Sequence, residues 1–183
     1  MDQVLWQREA FEALLQPHLP ALWRFIRRLV RDTHEAEDLV QEACLKAFKA
    51  VHRLQPGTDA RAWLFTILIN TYRDWVRTVL RQPTMLELDD LSVLYQQDDS
   101  PYAPSLAPTP EQTAMHAELG RLVRVALDDL PPEFRMTVFL ADVEGYSYKE
   151  IATMMACPLG TVMSRLSRAR HLLRTTLQAT LQG

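Results

Sequence analysis

The sequence predicts an all-α protein, built as two small helical domains joined by a flexible, acidic, proline-containing linker, with a helix-turn-helix in the second. Three observations predict it. Apolar residues recur three and four positions apart through most of the chain, and nowhere alternate with period two for long enough to make a sheet. The middle holds Pro83, Pro101, Pro104, Pro108 and Pro110, five of the 11 prolines, which remove backbone donors and keep the chain out of helix. The length, 183 residues, allows one medium domain or two small ones, since single cores settle at roughly 100 to 200 residues.

Taken in order, the first apolar series is Phe11, Leu14, Leu15, followed by Leu22, Phe25, Ile26, Leu29 and Val30. A new helix is expected from Asp32, where Asp32 and Glu35 have capping-box spacing and Glu37 and Asp38 suit the positive helix end. Its buried stripe is Ala36, Leu39, Val40, Ala43 and Ala47. Turn chemistry at residues 55–59 breaks the pattern. A long helix then runs from about Ala60 to Arg81, with Trp63, Leu64, Ile67, Leu68, Tyr72, Trp75, Val76 and Val79 as its apolar members. Beyond the linker, Leu119, Leu122, Val123, Ala126 and Leu127 precede a stop at Pro131 and Pro132. Helices are expected over 134–140, 148–155 and 159 to about 178, broken at Gly145 and at 156–158. The predicted domains are therefore 1–82 and 111–183, with 83–110 as the linker.

Composition narrows the class. With 48% hydrophobic and 23% charged residues, and no apolar run near the roughly 20 residues a bilayer span needs, the chain is expected to be soluble and not inserted in a membrane. The amino terminus lacks the build of a secretion signal, which points to the cytoplasm. Cys44 and Cys157 have no C-x-x-C spacing, and His18, His34, His52, His116 and His171 form no evident ligand set, so neither a metal nor a cofactor is expected. The net charge of −3 hides unlike parts: residues 83–118 carry seven acids and no Lys or Arg, leaving +4 on the rest. The acidic stretch is either a solvated spacer or a partner contact.

The last two helices are the most informative. Ile151 and Ala152 on a short helix, a tight turn, and a second helix anchored by Val162, Leu166, Ala169 and Leu173 make the pattern of a helix-turn-helix, whose second helix enters the DNA major groove. Thr161, Ser164, Ser167, Arg168 and His171 fall on the opposite face, short donors and an Arg suited to phosphates and base edges. Gly160 and Thr161 sit at the helix start, where free amides suit a phosphate. Periodicity alone also fits an ordinary amphipathic helix with a solvated basic face.

Residues 144–152 (EGYSYKEIA) with 157–170 (CPLGTVMSRLSRAR) resemble the carboxy-terminal DNA-binding domain of bacterial sigma factors, specifically the extracytoplasmic-function group of the sigma-70 family. Residues 36–42 (AEDLVQE) resemble that group's polymerase-binding helix, and 62–71 (AWLFTILINT) its segment for the promoter minus-ten element. The resemblance implies a promoter-specificity subunit of RNA polymerase, monomeric when free, performing no covalent chemistry and controlled by an anti-sigma factor. It implies docking on core RNA polymerase through Asp38, Leu39, Gln41 and Glu42. It places a flipped minus-ten base at Asn70, with Arg53, Pro56, Gly57, Thr58 and Asp59 in the pocket wall. Arg73, Arg77 and Arg81 follow at i, i+4 and i+8 on one face, which suits either tracking backbone phosphates or a solvated face. The resemblance matches Ser164 and Arg168 to positions that contact the minus-35 element, and with Gly160, Thr161, Met163, Arg165, Ser167 and His171 these make the expected minus-35 surface. Arg165 lies toward the buried flank, facing a phosphate or an acidic neighbour. Met163 stands where the family often has Arg or Lys, which suits an apolar touch to a thymine methyl. Residues 56–64, 132–135, 140–145 and 160–166 look like the subgroup answering thiol-oxidative stress, held by zinc-binding anti-sigma factors. The competing expectation is a stand-alone helix-turn-helix repressor or activator; an enzyme is poorly supported because no nucleophile, base and orienting group assemble.

Overall fold

The computed structural model describes the backbone of residues 2–81 and 110–182 and the side chains of 8–79 and 118–179. The expected linker, apart from Pro110, lies outside the described residues, as does the side chain of Arg81. The described residues form eight α-helices and no strand: α1 (Asp2–Leu15), α2 (Leu19–Leu29), α3 (Thr33–Ala50), α4 (Ala60–Arg81), α5 (Pro110–Asp128), α6 (Pro132–Val138), α7 (Tyr148–Met154) and α8 (Leu159–Gln182). A short 3-10 turn, Val51–Arg53, ends α3, and α6 runs on into a π-helical turn, Phe139–Val143.

Local chemistry explains the boundaries. Asp32 accepts from the Glu35 amide at 2.9 Å and starts α3, which is one half of the expected capping box. Asp59 does the same for α4, accepting from the amides of Arg61 (2.9 Å) and Ala62 (3.2 Å). Pro131 and Pro132 open α6, where a missing N–H costs nothing. Ser147 and Glu150 form a full capping box on α7, with the Ser-x-x-Glu spacing such a box requires. Met155 and Ala156 close α7 in a Schellman motif: Cys157 N–H donates to the Ala152 carbonyl at 3.0 Å, Ala156 N–H to Thr153 at 3.2 Å. Ala156 takes the left-handed position, φ +47°, where glycine is usual.

In the first helical group, α2, α3 and α4 pack on one another through Leu22, Phe25, Ile26, Ala36, Leu39, Ala43, Leu64 and Leu68, all buried. Phe25 meets Phe65 edge-on, ring centroids 5.2 Å apart, and Phe11 of α1 meets Phe48 at 5.3 Å. The second group packs α5, α6 and α7 around α8, burying Leu130, Met136, Leu140, Ile151, Val162, Leu166 and Ala169. Arg135 ties α6 to the end of α5 by donating to the carbonyls of Asp128 (2.6 Å) and Leu130 (3.2 Å).

The two groups also touch. The α4 helix lies against α7, and α2 against α6. Phe65 and Ile69, outside the apolar stripe expected for α4, are completely buried. Phe65 is sandwiched between Phe25 and, across the boundary, Tyr146, whose ring centroid is 5.4 Å away.

Candidate nucleic-acid interface

The α8 helix divides as a recognition helix must. Val162, Leu166 and Ala169 are fully buried, while Gly160, Met163, Ser164, Ser167, Arg168 and His171 are exposed. Thr161 is half-buried, and its amide donates to the Pro158 carbonyl at 2.9 Å, which seats the first turn. Ser164 donates its hydroxyl back to the Thr161 carbonyl at 3.0 Å, leaving its oxygen free to accept. Arg170 anchors the helix from the side through Asp142 (2.5 Å) and the Tyr148 hydroxyl (3.4 Å), bonds that raise its already high pKa. Arg165 does not point outward with the rest. It pairs with Glu133 of α6 at 2.9 Å, so the acidic neighbour, not solvent, is what this flank meets.

On α4 and the loop before it, the expected residues separate into two sets. Gln55 to Thr58 form a turn closed by Thr58 N–H to the Gln55 carbonyl at 3.1 Å, with Pro56 at the second position and Gly57 at the third, φ +85°. That is a type II turn, which needs glycine there. Arg53, Pro56, Gly57, Thr58, Asp59 and Asn70 are exposed. Asp59 already spends one carboxylate oxygen on its helix cap. Arg77 pairs with Asp74 at 3.1 Å on the surface. Arg73 is turned inward: it donates to Glu133 at 3.0 Å and to the Met155 carbonyl at 3.0 Å, both in the second group.

The face of α3 needs one correction. Asp38, Gln41 and Glu42 are exposed, but Leu39 is only 2% exposed and packs in the core rather than on the exposed face with them. Glu42 is paired with Lys46 at 2.7 Å. Beside these residues runs an apolar groove floored by Leu15, Leu19, Trp23, Val40 and Cys44, with Glu37 and Gln41 on its rim. Burial pushes the Cys44 thiol up, away from reactive thiolate character.

Reading by periodicity missed Arg61, Glu133 and Glu144. Arg61 donates to Glu144 at 2.6 Å and lies over the rings of Tyr146 and Phe65, 4.8 and 5.1 Å from their centroids. Burial pushes the Tyr146 phenol up to about 12, opposed by the Arg61 charge. Partners 83 positions apart for Arg61 and Glu144, and 60 and 32 apart for Glu133, leave no spacing signal. The one hint was the width of the α4 apolar face, where Phe65 and Ile69 extend the stripe beyond one neighbour's reach. Among the described residues, no group of three or more His, Cys, Asp or Glu could hold a metal, and no helix is long and apolar enough to cross a membrane.

Residues 14–82 match the family model for sigma-70 region 2 and residues 120–173 that for sigma-70 region 4. The chain is 38% identical to the ECF RNA polymerase sigma factor SigE of Mycolicibacterium smegmatis over 92% of its own length and 62% of that relative. It is 31% identical to the RNA polymerase sigma-H factor of Pseudomonas aeruginosa, over 96% of this chain and 90% of that one. The ECF RNA polymerase sigma-E factor of Escherichia coli K12 is also 31% identical, over 97% and 94%. Among solved structures, the sigma factor RpoE in complex with the anti-sigma factor NepR from Bartonella quintana superposes with a TM-score of 0.70 at 28% identity, over 93% of this chain and 98% of that one. CnrH in complex with the cytosolic domain of CnrY gives 0.63 at 26%, over 94% and 90%. With regions 2 and 4 in order, the described residues helical, and two relatives matched over 90% and 94% of their length, the protein belongs to the extracytoplasmic-function sigma factors of the sigma-70 family, which direct RNA polymerase to promoters and are not enzymes.

Proposed function

We propose that the two helical groups divide promoter recognition between them, residues 1–82 serving polymerase and the minus-ten element and 111–183 the minus-35 element, with 83–110 connecting them. The observation that carries this reading is the division of α8 into a buried apolar stripe and an exposed face of Ser164, Ser167, Arg168 and His171. Such a face places short donors and one guanidinium where base edges and phosphates lie in the major groove. Met163, 53% exposed, adds an apolar contact fitting a thymine methyl.

In the first group, Asn70 and the Arg53 to Asp59 loop receive the unstacked minus-ten base, whose Watson-Crick edge an amide and loop backbone can read. Arg73 and Arg77 follow the phosphates. Asp38, Gln41 and Glu42 dock on core polymerase, an acidic helix face suited to basic partner helices. An anti-sigma factor restrains the protein until stress releases it; the similar RpoE was captured with the anti-sigma factor NepR, and CnrH with the cytosolic domain of CnrY. The motif likeness to the thiol-oxidative subgroup makes that partner zinc-binding, with the redox sensor in the partner.

The purified chain added to core polymerase should start transcription from a cognate promoter in vitro. Failure across a genome-wide promoter library would refute the reading. Co-purification with a small protein carrying an H-x-x-x-C-x-x-C pattern, lost on chelating zinc, tests the partner.

A further inference from the structure

The contact between the two helical groups is sorted by charge. Arg28 (3.5 Å) and Arg61 (2.6 Å) from the first group converge on Glu144 of the second, Arg31 reaches Asp128 at 2.9 Å, and Arg73 reaches Glu133 at 3.0 Å. In each of these pairs the guanidinium belongs to the first group and the carboxylate to the second. Glu144 is only 8% exposed, so its neutralisation is a condition of closure. Glu133 is used twice. One oxygen accepts from Arg73 and the other lies 2.9 Å from Arg165, an ion pair without hydrogen-bond geometry. A carboxylate between two guanidinium groups resembles a phosphodiester in its single negative charge and its two acceptor oxygens.

The loop assigned to the minus-ten base borders the same junction while staying exposed. Thr58, Asp59 and Trp63 line an open depression together with Lys149, Glu150 and Thr153 of α7. Arg73, Glu133 and Arg165 keep 22%, 36% and 19% of their side-chain surface, so salt can reach and weaken the pairs.

We propose that Glu133 and Glu144 form an internal latch: they hold the two groups closed in the free chain, and Glu133 stands in for phosphate by occupying Arg73 and Arg165 until the groups separate. Closure itself rests on the ion pairs; the masking of DNA contacts rests on the residue roles proposed above. Promoter phosphates and Glu133 then compete for the same two cations, and opening is what arms them.

The test uses the full chain with Glu133→Gln and Glu144→Gln together. The control is Glu9→Gln with Glu12→Gln, which removes the same charge from exposed α1 positions. Small-angle scattering reads the radius of gyration, circular dichroism the helicity, and anisotropy the binding of a duplex promoter fragment. The latch variant should retain its helicity and expand at low salt to the size the wild type reaches only in high salt. Its DNA affinity should exceed the control's, with the slope of log affinity against log salt steeper by about two for two added phosphate contacts. The charge swap Arg61→Glu with Glu144→Arg should restore compaction lost in Glu144→Arg alone. A helical latch variant of wild-type size at low salt would overturn the latch. Expansion with DNA binding equal to the control's would overturn the masking and strike Arg73 and Arg165 from the DNA contacts, leaving closure intact.

Discussion

Helices α4 and α8 both carry residues assigned to promoter DNA, and they are presented in opposite ways. Ser164, Ser167, Arg168 and His171 of α8 face solvent, whereas Arg73 of α4 is already bonded to Glu133 and Met155. The difference lies in what each helix packs against. The α8 helix has one apolar stripe, which packs on α5, α6 and α7 of its own group. The α4 helix has an apolar face wide enough for two, with Leu64 and Leu68 in its own core and Phe65 also meeting Tyr146 across the boundary. A helix shared between two groups cannot keep all its cations for a third partner.

The largest effect that would break this contrast comes from Phe65→Ala. It removes a fully buried ring that contacts both Phe25 and Tyr146, and should cost about 3 to 5 kcal/mol in denaturant unfolding. A cost near that of a surface change would mean that α4 is not shared as described. Arg168→Ala tests the exposed side: losing a bidentate base contact should weaken minus-35 discrimination by about 1 to 3 kcal/mol in competition with mutated promoters, with helix stability unchanged. Ser147→Ala removes the box that aims α7 at both α4 and α8, and should cost about 1 kcal/mol. It should also flatten the acid response. Hydrogen bonds from the Ser147 hydroxyl and amide hold the Glu150 carboxyl below its usual range, so that stabilisation is complete above the ordinary carboxylate range and fades as pH falls through the lowered value. The smallest effect is Ala156→Gly, which relieves a left-handed alanine in the turn between α7 and α8 and should raise stability by about 0.5 to 1 kcal/mol in thermal unfolding.

What could be read from sequence was what is encoded within a few turns of one helix. The stripe Val162, Leu166, Ala169 repeats at helical spacing, and the proline and glycine breaks stand where helices end. The turn at Gly57 and the cap at Asp32 are equally local. The fate of Arg73, Arg165 and Leu39 was not local. Leu39 sits in the buried stripe of α3, yet likeness to a docking motif pulled it to the surface; periodicity was the better guide there. For Arg73 and Arg165 the deciding partner, Glu133, is 60 and 32 positions away, and a basic residue on a helix flank reads the same whether it awaits phosphate or has met a carboxylate.

The π-helical turn at Phe139–Val143 sets a phase. An α-helix advances about 100° per residue, and a widened turn absorbs one residue without lengthening the helix by a full step. Asp142 comes out facing Arg170 of α8, and Glu144, two residues on, faces Arg28 and Arg61 of the other group. Deleting one residue from this turn would rotate the two acids together and send Glu144 away from both arginines. The turn thus acts as an indexing step, deciding which acid serves the chain's internal scaffold and which addresses the neighbouring domain.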